Sequence, residues 1–287
     1  AVEMGQGVNT KMAQVAAAVF GLDVTMVKVH TTNTLRIANT SPTAASAAAD
    51  LNGKATQIAC ETIRERLLDV AASMLGKETS EGVALSDVDW KDLVMEAHLR
   101  RVNLSEHSHY ATPGIGFDWS TAKGHPFAYH VYGTAIVGVT VDCLRGRYEV
   151  DYVKCCHDFG TSMNTAVDLG QIEGGIVQGL GWMTMEEVVY DENGKLRSNA
   201  LSTYKVPDIY SVPKEIDVLP LHTNRNNLAI FNSKAVGEPP LMYGIGAYFA
   251  IRNAIKAFRD CEPEFDCPFT PERVLMNLYS EPNAEKN

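Results

Sequence analysis

One segment limits the possible backbone of this chain more than any other: Lys234-Ala-Val-Gly-Glu-Pro-Pro-Leu241, with its two consecutive prolines. A residue that precedes proline is disfavoured in the α region, so we predict that Glu238 has an extended backbone. Pro240 suits the first turn of a helix, and the apolar pattern that follows predicts one over residues 241–258. Glu238 therefore belongs to a stiff turn at a helix N-terminus. Its carboxylate could act as a base, or it could simply stabilise the helix dipole.

Length and charge exclude several classes of protein. The 287 residues are 45% hydrophobic and 21% charged, as expected for one or two globular domains. The net charge of -10, without a cluster of Lys or Arg, argues against a nucleic-acid partner. No apolar run reaches the roughly 18 residues of a membrane helix, and no signal peptide or lipidation motif is evident. We expect a cytoplasmic protein whose partners are small molecules or other proteins, with no membrane.

The cysteines do not have the spacing of a metal site. None of the six forms a Cys-x-x-Cys pair, so neither zinc nor an iron–sulfur cluster is predicted. The triplet Cys155-Cys156-His157 lies in a strand-like stretch, where successive side chains point to opposite faces and cannot easily converge. These are predicted to be buried strand thiols. Since the sequence begins at Ala1 directly before a glycine-rich motif, we expect the chain to be a subunit or a fragment of something longer.

Apolar periodicity predicts an α+β chain in which helices pack on largely antiparallel sheets in two lobes. The long second helix is expected to open near Pro42, with Thr40 or Ser41 as its cap, and Asn9 is expected to cap the first. The sequence around Asn193-Gly194 predicts a hairpin with a type I′ turn. Helices are predicted over residues 9–20, 42–68, 90–99, 168–187 and 241–258, and strands over 25–31, 134–141 and 148–153.

Glycines flank two glutamines and line one helix. Gln6 lies between Gly5 and Gly7, where the backbone could approach a ligand closely, and Gln171 follows Gly170 at the predicted start of a helix. That helix also carries four glycines, which lower its stability by about 1 kcal/mol each and are usually tolerated where backbones pack closely. The four are Gly174, Gly175, Gly179 and Gly181.

The stretch Thr43-Ala-Ala-Ser46 offers backbone N–H groups with almost no side chain in the way. Such a helix opening suits an anionic ligand such as a phosphate, although a plain capped helix packed on a neighbour would have the same composition. No P-loop is present, and no Gly-x-Gly-x-x-Gly follows a strand. The absence of that motif argues against a dinucleotide-binding reductase domain.

Several motifs, in order and spacing, resemble the xanthine dehydrogenase and aldehyde oxidase family of molybdenum hydroxylases. The chain is similar to the C-terminal half of their molybdopterin-binding domain, from its first residues to about Arg259. The motifs are Glu3-Met-Gly-Gln-Gly-Val-Asn-Thr-Lys-Met12, Asn39-Thr-Ser-Pro-Thr-Ala-Ala-Ser-Ala47, Asp50-Leu-Asn-Gly53, Asp168-Leu-Gly-Gln-Ile-Glu-Gly174, Val177-Gln-Gly-Leu-Gly181, Ser202-Thr-Tyr-Lys205 and Ser233-Lys-Ala-Val-Gly-Glu-Pro-Pro-Leu241.

The resemblance implies a reaction and a set of site residues. Glu238 matches the catalytic base of a hydroxylation in which a water-derived oxygen on molybdenum attacks a purine carbon and hydride passes to the Mo=S group. Ala45 matches a position whose backbone lies beside molybdenum, without its side chain being a ligand. The residues that correspond to cofactor-binding positions are Gln6, Ala44, Ala45, Ser46 and Gln171.

The resemblance also implies a division of the chain and the existence of other parts. Residues 1–75 and 128–260 would be two molybdopterin-binding segments, with 76–127 connecting them and 261–287 as a C-terminal tail. FAD and 2Fe-2S clusters would lie on other domains or partner subunits of an enzyme that is itself a homo-oligomer, so this chain alone should not turn over. A xanthine-type purine substrate is favoured. The alternatives are an aldehyde oxidase, a nicotinate-type N-heterocycle dehydrogenase subunit and a non-catalytic assembly subunit.

Overall fold

The computed structural model describes residues 1–35, 42–221 and 228–279, which divide into two compact units. Unit 1 consists of Ala1–His130, Thr161–Asn164 and Arg225–Lys234; unit 2 consists of Val131–Gly160, Thr165–Asn224 and Ala235–Asn287. The helices are α1 (Val8–Phe20), α2 (Ala48–Met74), α3 (Trp90–Leu99), α4 (Thr165–Thr184), α5 (Ile245–Phe258) and α6 (Pro271–Tyr279). The strands are β1 (Gly116–Asp118), β2 (Lys123–His125), β3 (Gly133–Asp142), β4 (Arg147–His157) and β5 (Glu215–Pro220).

Unit 1 is mainly helical. Helix α1 packs along α2, and the C-terminal half of α2 joins α3 in a core built around the fully buried Leu93 and Ala97. The predicted bounds of α3 are confirmed, since the Asp89 carboxylate accepts the first N–H groups of this helix and fixes its start. Strands β1 and β2 form a small antiparallel hairpin.

Three local predictions in unit 1 are wrong. Helix α1 begins at Val8 after Gly7 in a left-handed conformation, so Asn9 is not its cap. Helix α2 begins at Ala48, well after Pro42, and the proposed caps Thr40 and Ser41 lie outside the described residues. The predicted strand over residues 25–31 is instead a short 3₁₀ turn followed by irregular backbone. Its start is held by Asp23, whose carboxylate accepts a local N–H and competes with strand pairing.

Unit 2 is built on a three-stranded sheet in the order β3-β4-β5. Strands β3 and β4 form the predicted antiparallel hairpin, while β5, which the sequence did not predict, adds parallel to β4. Apolar side chains of α4, including Ile172 and Ile176, and Ala247 of α5 pack with Val153 of the sheet. Helix α6, also unpredicted, buries Val274 against the residues of α5. The α+β prediction with largely antiparallel sheets is confirmed; the proposed roles of the four sequence segments stay predictions.

The predicted second hairpin is reduced to a single antiparallel bridge between Tyr190 and Leu196, and Gly194 has positive φ while Asn193 does not, so the type I′ assignment is wrong. Cys155 and Cys156 lie on β4 as predicted. Cys155 is buried, but the predicted burial is wrong for Cys156, which is half-buried because successive strand side chains face opposite sides of the sheet. No helix in the described ranges combines the length and the apolar character needed to cross a bilayer.

Candidate functional site

The loop before α1 is organised by Glu3, which belongs to one of the family motifs but is not among the predicted site residues. Its carboxylate accepts backbone N–H groups from Gly5 (2.8 Å), Gly7 (3.0 Å) and Asn9 (2.9 Å). Burial raises the pKa of Glu3, but the backbone hydrogen bonds outweigh burial and hold the pKa below its ordinary value. An acidic residue just before a glycine-flanked helix start was the available signal. The carboxylate closes this loop around Gln6.

The Gln6 amide connects that loop to the segment before α2. Its Oε1 accepts the N–H of Met4 at 2.6 Å, and its Nε2 donates to the carbonyl of Val2 at 2.7 Å. The same Nε2 donates to the Thr43 hydroxyl at 2.8 Å. The structure therefore brings Gln6 next to the predicted Thr43-Ala-Ala-Ser46 site, and all of these residues belong to unit 1.

Residues Ala44 to Ala47 form a tight turn that precedes α2, rather than the opening of the helix itself. The N–H of Ala47 donates to the carbonyl of Ala44 at 3.3 Å. The two central residues, Ala45 and Ser46, have φ values of 52° and 51°. A left-handed conformation costs a non-glycine residue roughly 1 kcal/mol or more, and such strain is concentrated at ligand sites and active sites. Ala44 and Ala45 are exposed, so this strained backbone is accessible.

A half-buried acid lies in the first turn of α2. Asp50 accepts a hydrogen bond from the Tyr129 hydroxyl at 2.5 Å. Burial raises the pKa of Asp50 above its ordinary value, although Tyr129 and the positive charges of Lys11 and Lys54 act in the opposite direction. This contact attaches the beginning of α2 to a segment almost eighty positions away. No sequence pattern predicts that Tyr129 is the partner of Asp50.

Helix α4 packs its glycines against the segment that carries Glu238. A β-carbon added at Gly175 would lie 2.8 Å from the carbonyl oxygen of Gly237, and one added at Gly179 would lie 2.0 Å from that of Leu241. The predicted close backbone packing is therefore confirmed at these positions, whereas a β-carbon at Gly174 would meet no described atom within 4 Å. Gln171 is half-buried. It lies within α4 and not at its start, because the helix begins at Thr165.

Glu238 is an exposed residue at the start of a 3₁₀ helix, Pro239–Gly244, that leads into α5. We call Glu238 together with this helix the Glu238 turn. The predicted position at a helix N-terminus is confirmed, but the extended backbone is wrong: Glu238 has φ −86° and ψ −41°. The N–H of Leu241 donates to the Glu238 carbonyl at 3.1 Å, and this bond holds the residue in the helical region despite the following proline.

A polar pair that the sequence did not predict, buried His157 and half-buried Tyr243, joins the end of β4 to the Glu238 turn. His157, at the end of β4, is fully buried, and its Nδ1 is 2.7 Å from the Tyr243 hydroxyl. Burial lowers the pKa of His157 to about 4, against a smaller opposing effect of Asp158, and burial raises the pKa of Tyr243 to about 12. Both side chains are therefore neutral near pH 7. The two residues are 86 positions apart, and no spacing rule connects them.

The predicted site residues thus fall into two groups. Gln6 and Ala44 to Ser46 are neighbours in unit 1, while Gln171 and Glu238 belong to unit 2. That all of them serve one cofactor stays a prediction.

Known proteins similar to this chain are molybdenum enzymes. A family model described as "Molybdopterin cofactor-binding domain" matches residues 1–213. Xanthine dehydrogenase of Oryza sativa subsp. japonica is 42% identical over 287 residues, which is 96% of this chain and 20% of that protein. Xanthine dehydrogenase/oxidase of Mus musculus is 41% identical over 280 residues, 95% of this chain and 20% of that protein. The chain spans about a fifth of the length of these curated relatives.

Solved structures agree in fold. Aldehyde oxidoreductase from Desulfovibrio gigas superposes with a TM-score of 0.74 at 26% identity, covering 96% of this chain and 28% of that one. Quinoline 2-oxidoreductase from Pseudomonas putida 86 gives the same TM-score of 0.74 at 22% identity, covering 98% and 36% of the two chains, and shows likeness of fold alone. With a family model matched over most of its length, the chain belongs to the molybdopterin cofactor-binding domain family of the molybdenum hydroxylases.

Proposed function

We propose that this chain is the C-terminal molybdopterin-binding portion of a molybdenum hydroxylase of the xanthine dehydrogenase/oxidase type, acting on a purine such as xanthine or hypoxanthine. The supporting comparison is the difference in similarity: the xanthine dehydrogenases are 41–42% identical to this chain, whereas the aldehyde oxidoreductase is 26% identical. Because the chain spans only about a fifth of such proteins, activity requires the rest of the enzyme.

The residues of both units have the chemistry that a molybdopterin needs. In unit 1, Gln6 offers an amide with donor and acceptor atoms, and the Ala44 to Ser46 turn offers accessible backbone without bulky side chains. In unit 2, Gln171 offers a second amide on a helix that is held rigidly by its glycine contacts. The strained conformation of Ala45 and Ser46 supports a ligand at this turn, since strain of this kind is concentrated at functional sites. When bound, the cofactor supplies the redox chemistry.

Glu238 is the proposed general base. Its carboxylate takes the proton of the oxygen nucleophile, a role that typically contributes a factor of about 10² to 10⁴ to the rate. The single observation that carries this assignment is the geometry of its support. Glu238 is exposed, while the backbone on either side of it, at Gly237 and Leu241, packs closely on the glycines of α4. A base that is accessible and mounted on a fixed backbone meets the requirement for a precisely oriented proton acceptor.

The proposed enzyme also needs redox cofactors outside this chain. FAD and 2Fe-2S clusters would reside on further domains or partner subunits, and the complete enzyme would be a homo-oligomer. We also propose a cytoplasmic location. All six cysteines are free, which is typical of a reducing compartment.

The decisive experiment uses the complete enzyme that contains this chain. Glu238→Gln keeps the size of the side chain and removes its basicity, so xanthine turnover per bound molybdenum should fall at least about a hundredfold at unchanged molybdenum content. Glu272→Gln, which changes an exposed carboxylate in the first turn of α6, is the matched control and should keep wild-type turnover. Full activity of Glu238→Gln would reject the assignment and favour a non-catalytic assembly role.

A second candidate function has a specific observation in its favour. The 26% identity with an aldehyde oxidoreductase over 96% of this chain keeps aldehydes open as substrates. Comparing kcat/KM for xanthine, an aromatic aldehyde and an N-heterocycle such as nicotinate decides between them. A preference for aldehyde by tenfold or more would replace the purine assignment while leaving the role of Glu238 intact.

A further inference from the structure

The Glu238 turn is held from two sides within unit 2. On one side its backbone contacts α4: a β-carbon at Gly244 would lie 2.2 Å from the carbonyl carbon of Gly179. On the other side, Tyr243 of the same turn extends to the end of β4, where its hydroxyl meets His157. The two rings meet edge to face with centroids 5.6 Å apart. The contact with α4 limits how closely the Glu238 turn can approach that helix. The contact between Tyr243 and His157 limits how the Glu238 turn can rotate.

The space around the Tyr243 hydroxyl is made by a glycine. Gly133 of β3 pairs with His157 in the sheet register, and a β-carbon at Gly133 would lie 1.7 Å from the Tyr243 oxygen. Only a residue without a side chain leaves room for the tyrosine to reach the histidine. The sheet therefore provides a slot, made of one glycine and one buried imidazole, that accepts a single side chain of the Glu238 turn.

Keeping a histidine in this place has an energetic disadvantage. Its Nε2 is buried and has no hydrogen-bond partner among the described residues. Such an atom is normally satisfied, and an apolar side chain of similar size would avoid the penalty. What the imidazole provides and an apolar residue cannot is a directional hydrogen bond between its Nδ1 and the Tyr243 hydroxyl. Directional polar contacts in a core fix one arrangement among several packings of similar energy.

We propose that His157 and Tyr243 form a positioning pair that sets the orientation of the Glu238 turn, and thereby the aim of the Glu238 carboxylate. Neither residue is a catalytic residue, since both act through the turn. The inference rests on the proposed function of Glu238 as base. Because a small misplacement of a reacting group can lower a rate by as much as about a hundredfold, loss of one hydroxyl at this contact should be visible in kcat.

The test compares three variants in the complete enzyme. Tyr243→Phe removes the hydroxyl alone, and His157→Gln places its amide nitrogen near the Nε2 position, out of reach of Tyr243. His157→Asn places its amide near the Nδ1 position and can restore the bond. We expect Tyr243→Phe and His157→Gln to lower kcat per bound molybdenum about tenfold, with KM for xanthine and molybdenum content changed less than twofold. His157→Asn should recover kcat to within about threefold of wild type.

A second readout does not depend on activity. Hydrogen–deuterium exchange of the backbone amides of residues 241–246 should be about tenfold faster in Tyr243→Phe than in wild type and near normal in His157→Asn. Wild-type kcat and wild-type exchange in Tyr243→Phe, alongside an inactive Glu238→Gln enzyme, would overturn the inference and leave the proposed function standing. An active Glu238→Gln enzyme would overturn both. If His157→Gln does not fold, Tyr243→Phe decides alone, since it changes no shape.

Discussion

The contact between α4 and the Glu238 turn predicts opposite results for two glycine-to-alanine changes on the same helix. At Gly179 the new β-carbon would start 2.0 Å from the Leu241 carbonyl oxygen, although contacts under 3.0 Å are essentially never seen, so backbone must move. At Gly174 the β-carbon meets no described atom within 4 Å. Both positions are interior to α4, so each change gains the same helix propensity of about 1 kcal/mol.

Because both variants gain the same helix propensity, the difference between their free energies of unfolding measures only the steric clash at Gly179. Overpacking a filled site typically costs about 1 to 3 kcal/mol, so Gly179→Ala should be less stable than Gly174→Ala by that amount. Gly174→Ala itself should be at least as stable as wild type. Urea unfolding followed by tryptophan fluorescence measures both, and Trp182 on α4 reports locally. Equal midpoints for the two variants would refute the close backbone contact on which the support of Glu238 depends.

Other contacts give further expected outcomes. Burial lowers the pKa of His157 from 6.5 to about 4, so between these pH values the unfolded chain binds a proton that the folded chain does not. The free energy of unfolding should therefore fall by about 3 kcal/mol as the pH drops from 6.5 to 4. His157→Asn should flatten this part of the pH–stability curve. Buried Arg252 donates to two backbone carbonyls at 2.7 Å and also pairs with the Glu262 carboxylate, so Arg252→Met should cost about 2 to 4 kcal/mol in urea unfolding. Lys256→Met, which removes an exposed partner of the same Glu262 carboxylate, should cost under about 1 kcal/mol. Because backbone N–H donors hold the pKa of Glu3 below its ordinary value of 4.5, Glu3→Gln should destabilise the α1 start above pH 4.5, and this difference should disappear only as the pH falls through the lowered pKa. A difference in unfolding midpoint that grows on acidification would contradict this.

Features with a local cause were predictable from the sequence. Helix α3 follows from Asp89 as cap and an apolar stripe, and the β3–β4 hairpin follows from alternation on either side of a short polar turn. The glycines of α4 predicted close packing because few other conditions favour so many of them in one helix. Glu238 was identified through the two prolines that follow it, although the carbonyl bond to Leu241 overrides their preference for an extended residue.

Features that depend on distant partners could not be predicted. Strand β5 has no strong alternation of apolar and polar residues, and it is a strand because it pairs with β4. The left-handed turn at Ala45 and Ser46 contradicts local preference, since neither residue favours positive φ, and the local sequence predicts the opening of a helix there instead. The His157–Tyr243 contact joins residues 86 positions apart. In each case the structure depends on residues that are close in space but distant in sequence.

The left-handed pair at Ala45 and Ser46 also constrains which substitutions this chain can tolerate. At φ of 52°, a β-branched side chain at position 45 would clash with its own backbone, whereas glycine, asparagine or aspartate would relax it. A saturation library at codon 45 selected only for expression should therefore be enriched in those three residues. Selection for turnover on the same library would reveal whether the methyl group of alanine is retained for shape alone.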